Sequence, residues 1–303
     1  MNQSSSRSSW LTELWTWLAT LSGIGYLFTA YTVSRWLTRT SPDRVSPDLP
    51  DWTWESVECQ TADGVRLAGW AASPPTARAT VVLFHGLRGN RGRMLSRMAF
   101  LLEAGYRCVA FDHRGHGESG GRWTSFGYHE SRDVQAVLDF VRQRWPEQPH
   151  AVLGVSMGGA ALCFAARHVR GCQAVILESV YHDLESAFRN RVGVDYPAWF
   201  SRFRGGVIWV TERRLGLRLP NLAPALHVHD LNPAPVLFLT GSDDPHAPPE
   251  DVARLHSLCA EPRELRIIPG AGHDDVIEIG GDHYRRLILD FLARTLTPAL
   301  AIT

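Results

Sequence analysis

An excess of either charge is missing from this chain: its 303 residues include 31 basic and 31 acidic side chains. A balanced surface offers no broad positive field for nucleic acid and no negative surplus for a polycation, so neither is expected as a partner. Cysteine is scarce as well. The five that occur (Cys59, Cys108, Cys163, Cys172 and Cys259) are scattered, odd in number and never spaced C-x-x-C. That excludes a disulfide framework and a thiolate zinc centre. The thiols read as small buried apolar groups, with Cys163 to Cys172 the one pairing to weigh, although Cys163 falls inside an expected helix. Apolar residues are plentiful: 45% hydrophobic against 20% charged is a composition that folds. The length suits one large domain with a substantial core plus a further segment at one end.

Charge is absent altogether from residues 14–33, a stretch rich in Leu, Trp, Phe, Tyr and Ala. As a helix rising about 1.5 Å per residue it would match a hydrocarbon layer of about 30 Å. Trp10, Trp15 and Trp17 at one end, and Tyr26, Tyr31 and Trp36 toward the other, resemble interfacial anchors. The expectation is a single-pass membrane anchor within residues 1–39, followed by a linker over 40–50 rich in Pro, Ser and Asp. A cleaved signal peptide, with export of the rest, is the competing reading, but the run is longer than the usual apolar region and lacks an A-x-A site. A helix lying in the interface is a third. Arg35, Arg39 and Arg44 follow the segment whereas only Arg7 precedes it, which favours a cytoplasmic catalytic domain.

Beyond the linker, residues 52–60 and 65–72 alternate around Asp63-Gly64 and predict a β-hairpin. The pattern then changes. Residues 80–84, 107–111, 151–153, 174–177, 236–240 and 265–268 are continuous apolar runs, as strands buried on both faces require. Helical spacing of apolar residues marks 93–104, 130–145, 159–168, 249–259 and 284–296, with Pro146 and Pro149 breaking the second. Strand alternating with helix predicts an α/β domain over 51–303, its mostly parallel sheet flanked by helices. Residues 181–230 break the alternation and gather Tyr196, Trp199, Phe200, Phe203, Val207, Ile208 and Trp209 among Arg189, Arg191, Arg202, Arg204, Arg213 and Arg214. An insertion of that size predicts a helical cap over the site; extra core packing and a bilayer-facing surface are the other readings.

Chemistry is expected beyond the carboxyl ends of the strands. Gly154-Val155-Ser156-Met157-Gly158 stands between an apolar run and a small-residue helical run, a strand-to-helix corner that would expose Ser156 as a nucleophile. A serine hydroxyl needs a base, and its attack on a carbonyl needs N–H donors for the oxyanion. Thirteen histidines make position decisive. His273 lies in a glycine-bearing loop directly after the last apolar strand and is the best base. His246, two residues from Asp244, is poorly placed for the required alignment. His113 and His116 sit in Asp112-His113-Arg114-Gly115-His116-Gly117, where hydrogen bonding within the loop is the plainer role. The orienting acid is Asp243 or Asp244, with Glu178 a further candidate better suited to a structural role.

The order serine, acid, histidine along a strand–helix chain resembles the α/β-hydrolases. Phe84-His85-Gly86-Leu87 is similar to that family's H-G turn, residues 111–119 to its D-x-R-G-x-G-x-S loop, and Gly241-Ser242-Asp243-Asp244-Pro245 to its acid turn. His85-Gly86-Leu87-Arg88-Gly89-Asn90, Ile176-Leu177-Glu178-Ser179 and the N-terminal segment most resemble the membrane-anchored BEM46-like and ABHD13-like hydrolases of the serine-aminopeptidase type. Leu87 and Arg88 replace the Asn and Ala of the usual H-G-N-A-G-N. The resemblance implies an α/β-hydrolase fold, selects Asp244 over Asp243, and implies oxyanion-hole N–H groups from Leu87 and Met157. It also implies a serine hydrolase with a Ser156, His273, Asp244 triad that requires no metal or cofactor and acts on an acyl ester, a thioester or an amide. A peptide hydrolase, or a non-catalytic ligand-binding protein on the same fold, is the alternative.

Overall fold

In the computed structural model, the structure describes residues 4–40, 43–47, 51–195 and 202–296. Tyr196, Trp199 and Phe200 of the expected cap, and the ring of Trp10, lie outside them. The chain opens with a long helix, α1 (Ser4–Leu37), followed by the hairpin β1 (Trp54–Gln60) and β2 (Arg66–Ala72). The alternation then runs β3 (Thr80–Phe84), α2 (Leu95–Glu103), β4 (Arg107–Phe111), α3 (Glu130–Arg144), β5 (His150–Val155), α4 (Met157–Phe164) and α5 (Ala166–Val169). After β6 (Ala174–Glu178) come two inserted helices, α6 (Leu184–Asp195) and α7 (Arg204–Leu215). The domain closes with β7 (Val236–Gly241), α8 (Pro249–Leu258), β8 (Arg263–Ile268) and α9 (Val276–Thr295).

The strands form one eight-stranded sheet in the order β1-β2-β4-β3-β5-β6-β7-β8. The hairpin and the β2–β4 pair are antiparallel and every other pair is parallel. Every residue of β3, β6 and β7 is buried, which is why these strands are apolar without alternation. Side chains still alternate between faces. Val82, Phe84, Val109 and Phe111 join the core on the side of α3 and α4, whereas Val81, Leu83, Cys108 and Ala110 join the one under α2 and α9. All five cysteines are free, four of them buried, so the Cys163 to Cys172 pairing does not form. With β4 on one side of β3 and β5 on the other, the strand order reverses at β3. A crevice therefore opens beyond the carboxyl ends of β3 and β5.

Two boundaries differ from the sequence expectation for a physical reason. α9 begins at Val276 rather than near Tyr284, because Gly280-Gly281 interrupts the apolar pattern; two helical pieces join there across a kink at Gly281, φ +47°. α4 begins at Met157, two residues early, because its first turn carries Gly158 and Gly159 and shows no side-chain pattern. The membrane-spanning expectation is not supported: among the described residues no helix is long and apolar enough to cross a membrane. Hydroxyls and glycines are interleaved through 14–33, and Thr20 and Thr29 bond back to the carbonyls of Thr16 and Gly25. One flank of α1 instead packs on α7, where Ala30, Leu37, Val207 and Val210 form a small core of their own.

Candidate active site

Ser156 occupies the junction of β5 and α4 with φ +51° and ψ −115°, a backbone conformation that a non-glycine residue holds only when its surroundings enforce it. Two contacts do so. Its N–H donates to the carbonyl of Glu178 at the end of β6, 2.7 Å away. Gly158 lies so close beneath β3 that a Cβ there would stand 2.4 Å from the Phe84 carbonyl oxygen and 2.8 Å from that of His85. The corner therefore presses the start of α4 against the His85-Gly86-Leu87 turn. A Cβ on Gly86 would stand 3.4 Å from the Cβ of Ser156. The first N–H groups of α4, that of Met157 among them, have no intrahelical carbonyl to bond and make this end of the helix electropositive.

His273 reaches the same point from the loop between β8 and α9. Its Nε2 is 3.1 Å from Ser156 Oγ, and its Nδ1 is 2.8 and 3.0 Å from the two carboxylate oxygens of Asp244. Asp244 is 2% exposed and also accepts the backbone N–H groups of His246 and Ala247. Burial works against its charged form, yet the hydrogen bonds from His273 and from those N–H groups outweigh it and hold the carboxyl below its ordinary value. With Nδ1 donating to Asp244, Nε2 is left to accept from the serine hydroxyl.

The other candidates lie elsewhere. Asp243 is exposed and accepts from Ser242 Oγ. Glu178 is fully buried, ion-paired with Arg97 and bonded by the Tyr284 hydroxyl at 2.6 Å. It braces the elbow from behind. The His246 ring stands edge-on to that of His273, with centroids 5.2 Å apart. His116 accepts the N–H of Arg88 at Nε2 and pairs through Nδ1 with the Arg114 carbonyl, while His85 Nε2 accepts the N–H of His113. Asp112 accepts from Arg91, both backbone and guanidinium, and from the N–H of Glu118. These loop residues shape the turn that carries Leu87.

Ser156, His273, Leu87 and Met157 line one cavity of about 1030 Å³, counting its open mouth. Its walls include Phe126, Tyr181, Leu184 and Phe188, with Val207 from the inserted helix α7. Among the described residues, no three His, Cys, Asp or Glu side chains are grouped as a metal site needs. Leu37 of α1 also lines the cavity, and the sequence reading missed it. The signal was there: Ala30, Val33, Ser34 and Leu37 recur at helical spacing and continue past the end of the supposed anchor.

A family model described as serine aminopeptidase, S33, matches residues 75–208, a stretch that holds Ser156 but ends before Asp244 and His273. The protein YfhR of Escherichia coli is 30% identical over 260 residues, covering 82% of this chain and 84% of that one. The chain belongs to the α/β-hydrolase superfamily. Within it, this hydrolase resembles the bem46 protein of Schizosaccharomyces pombe, 26% identical over 251 residues and covering 79% and 77% of the two chains. Its fold is that of the Pyrococcus furiosus esterase Pf2001, with a TM-score of 0.71 at 22% identity over 86% of this chain and 99% of the other.

Proposed function

We propose that this protein is a serine hydrolase that cleaves an ester of an apolar acyl group through an acyl-enzyme. The observation that carries the reading is the hydrogen-bonded line from Ser156 Oγ through His273 to buried Asp244. His273 Nε2 would take the hydroxyl proton as Oγ attacks the substrate carbonyl carbon, and Asp244 would stabilise the imidazolium. The oxyanion would be met by the N–H groups of Leu87 and Met157. Collapse would expel the alcohol carrying the proton from His273. Water, activated by the same imidazole, would then add to the acyl-enzyme and release the acid and free Ser156. The cavity walls are mostly apolar, with Arg88, Arg191 and Glu212 the charged residues among those that line them, and they support an apolar acyl group. The Pyrococcus protein's description as an esterase supports the ester. The family model's description as an aminopeptidase supports amide cleavage as the second reading. The exposed Trp15, Trp17, Leu21, Ile24 and Phe28 of α1 support contact with lipid. Recovery of the full-length chain in the soluble fraction without detergent would count against that contact.

Labelling with a fluorophosphonate probe tests the nucleophile. Wild type is expected to label and Ser156→Ala not, with ester turnover in the variant falling on the order of 10⁶-fold. Equal labelling of the two would remove Ser156 from the reaction. Faster cleavage of amino-acid anilides than of aryl esters would favour the second reading.

A further inference from the structure

We infer that the last turn of α1 is a working part of this site: Leu37 forms a wall of the acyl cavity, and Trp36 positions Arg88 and, through it, the turn bearing Leu87. The inference rests on the reading of Ser156 as an acyl-accepting nucleophile. Neither role is what a mere tether requires.

The join between α1 and the domain is built from buried polar groups as well as apolar ones. Ser34 and Thr38 are both 0% exposed. Ser34 Oγ accepts from Thr211 Oγ1 at 2.8 Å and from Arg214 Nη1 at 2.8 Å, and Thr38 Oγ1 accepts from Arg214 at 3.2 Å. Separating the two helices would break these bonds, leaving Thr38 and Thr211 only their bonds to the Ser34 and Val207 carbonyls, so the contact favours one geometry. Further up α1, the Tyr26 ring stacks on Phe203, and its hydroxyl accepts the N–H of Gly206 at 3.0 Å. The approach is close enough that a Cβ on Gly206 would stand 2.5 Å from that ring. Beyond the helix, Thr38 accepts the N–H of Thr124, and Thr40 packs over Gly115 in the loop behind the active site. The turn is thus fixed from α7 on one side and from residues 115–124 on the other.

Two of its side chains meet the chemistry. Leu37 is 7% exposed, packs with Val207 and Val210 near Phe126 and Phe188, and lines the cavity that contains Ser156. A larger or smaller side chain there changes the room for an acyl chain directly. Trp36 acts on Arg88, the residue after Leu87. The Arg88 guanidinium lies 4.0 Å from the centroid of the Trp36 ring and donates to the Trp36 carbonyl at 3.2 Å. That carbonyl belongs to the last turn of α1, where a cation is favoured. Arg88 has φ +58°, and its N–H is held by His116 Nε2. A strained residue persists where its surroundings fix it, and His116 on the backbone and Trp36 on the side chain are among the contacts that fix Arg88.

The test uses the full-length protein and a series of p-nitrophenyl esters: acetate, butyrate, octanoate and dodecanoate. Fluorophosphonate labelling counts active sites, and thermal melting checks folding. Leu37→Trp is expected to lower the ratio of kcat/KM for octanoate over acetate about tenfold, since an apolar pocket discriminates chain length by that order. Leu37→Ala is expected to move the ratio toward the longer esters, and it carries the test where Leu37→Trp does not fold. Trp36→Ala is expected to lower kcat per labelled site about tenfold with KM changed far less, as displacement of an oxyanion donor would. Trp36→Phe should recover most of that loss. A purely structural role for Trp36 would lower the melting temperature and leave kcat per labelled site as it was. An unchanged chain-length ratio in a folded Leu37 variant, or unchanged kcat per labelled site in Trp36→Ala, overturns the corresponding half of the inference while the nucleophile stands. Failure of wild type to label overturns the nucleophile reading, and the inference with it.

Discussion

Asp244 and Asp243 share one turn, yet their surroundings differ enough to separate their roles. The Asp244 carboxylate is buried and accepts four hydrogen-bonding contacts, two of them from His273 Nδ1. Asp243 is turned to solvent against Ser242. Replacing Asp244 by Asn removes the acceptor that fixes the imidazole tautomer, and kcat should fall about 10³- to 10⁴-fold. Asp243→Asn, at an exposed position, should change kcat/KM by no more than about twofold, in line with surface substitutions worth about 0.5 kcal/mol. Initial rates on an aryl ester decide between them, and a larger loss at Asp243 would overturn the assignment. From the residues alone the two aspartates could not be told apart, because both follow the same apolar strand. Family resemblance selected Asp244. The physical reason, that only the second carboxylate turns inward toward the β8–α9 loop, depends on a contact 29 residues along the chain and has no local signature.

Elements were legible where burial leaves a pattern. The parallel strands announce themselves because both faces are covered, and α3 because its apolar residues keep helical spacing until Pro146. The first turns of α4 and α9 were not legible, since glycine there serves close backbone approach rather than propensity. Those turns are also where the site is made. The β3–α4 contact at Gly158 lets Ser156 and the His85-Gly86 turn meet, with no space for one further carbon between the helix and the Phe84 carbonyl. In Gly158→Ala, α4 must move away from β3, at a cost of about 1–3 kcal/mol as in other overpacked sites. The displacement would carry the Met157 N–H away from the oxyanion. The expected outcome is a folded protein with a lowered melting temperature and at least about a 10²-fold loss in kcat, the scale of one lost oxyanion donor. Wild-type turnover in this variant would mean that the elbow tolerates a wider gap than the geometry allows. α1 presents the opposite case. Its sequence advertised an uncharged helix, and the stripe that packs on α7 was hidden because exposed Trp, Leu, Ile and Phe side chains stand on its other faces, so the place of Leu37 at the cavity went unread.

Across the whole molecule the formal charges cancel, and pH acts on stability through groups that titrate differently once folded. Three imidazoles, His85, His113 and His116, are buried behind the turn that carries Leu87, with His85 5.0 and 5.2 Å from the other two, centroid to centroid. Burial, then the neighbouring His113 and His116 rings, push His85 well below the ordinary value of 6.5. His116 is lowered as well, burial again leading. The sign follows from where the proton goes. Above about pH 6.5 both rings are neutral, folded or unfolded, and the stability they permit is fully present. As pH falls below that value the unfolded chain takes up protons that the folded core refuses, and stability is lost until the folded rings titrate. Each such group contributes about 1.4 kcal/mol per pH unit across its window. The carboxylates held low, Asp244 and Glu118 among them, begin to cost stability only near their ordinary values of 3.8 and 4.5. The two windows are therefore separable. Urea titrations at pH 7.5, 6.5 and 5.5 should give an unfolding free energy that falls by about three times as much over the second interval as over the first, the second loss being about 1–3 kcal/mol. Burial holds His129, His150 and His256 low in the same way, so His116→Gln, whose side-chain carbonyl can still accept from the Arg88 N–H, should remove a part of that slope while keeping the turn in place. A free energy level down to pH 5.5 in wild type, or an undiminished slope in the variant, would mean that the folded core accommodates the imidazolium and that these rings do not set the acid limit of the fold.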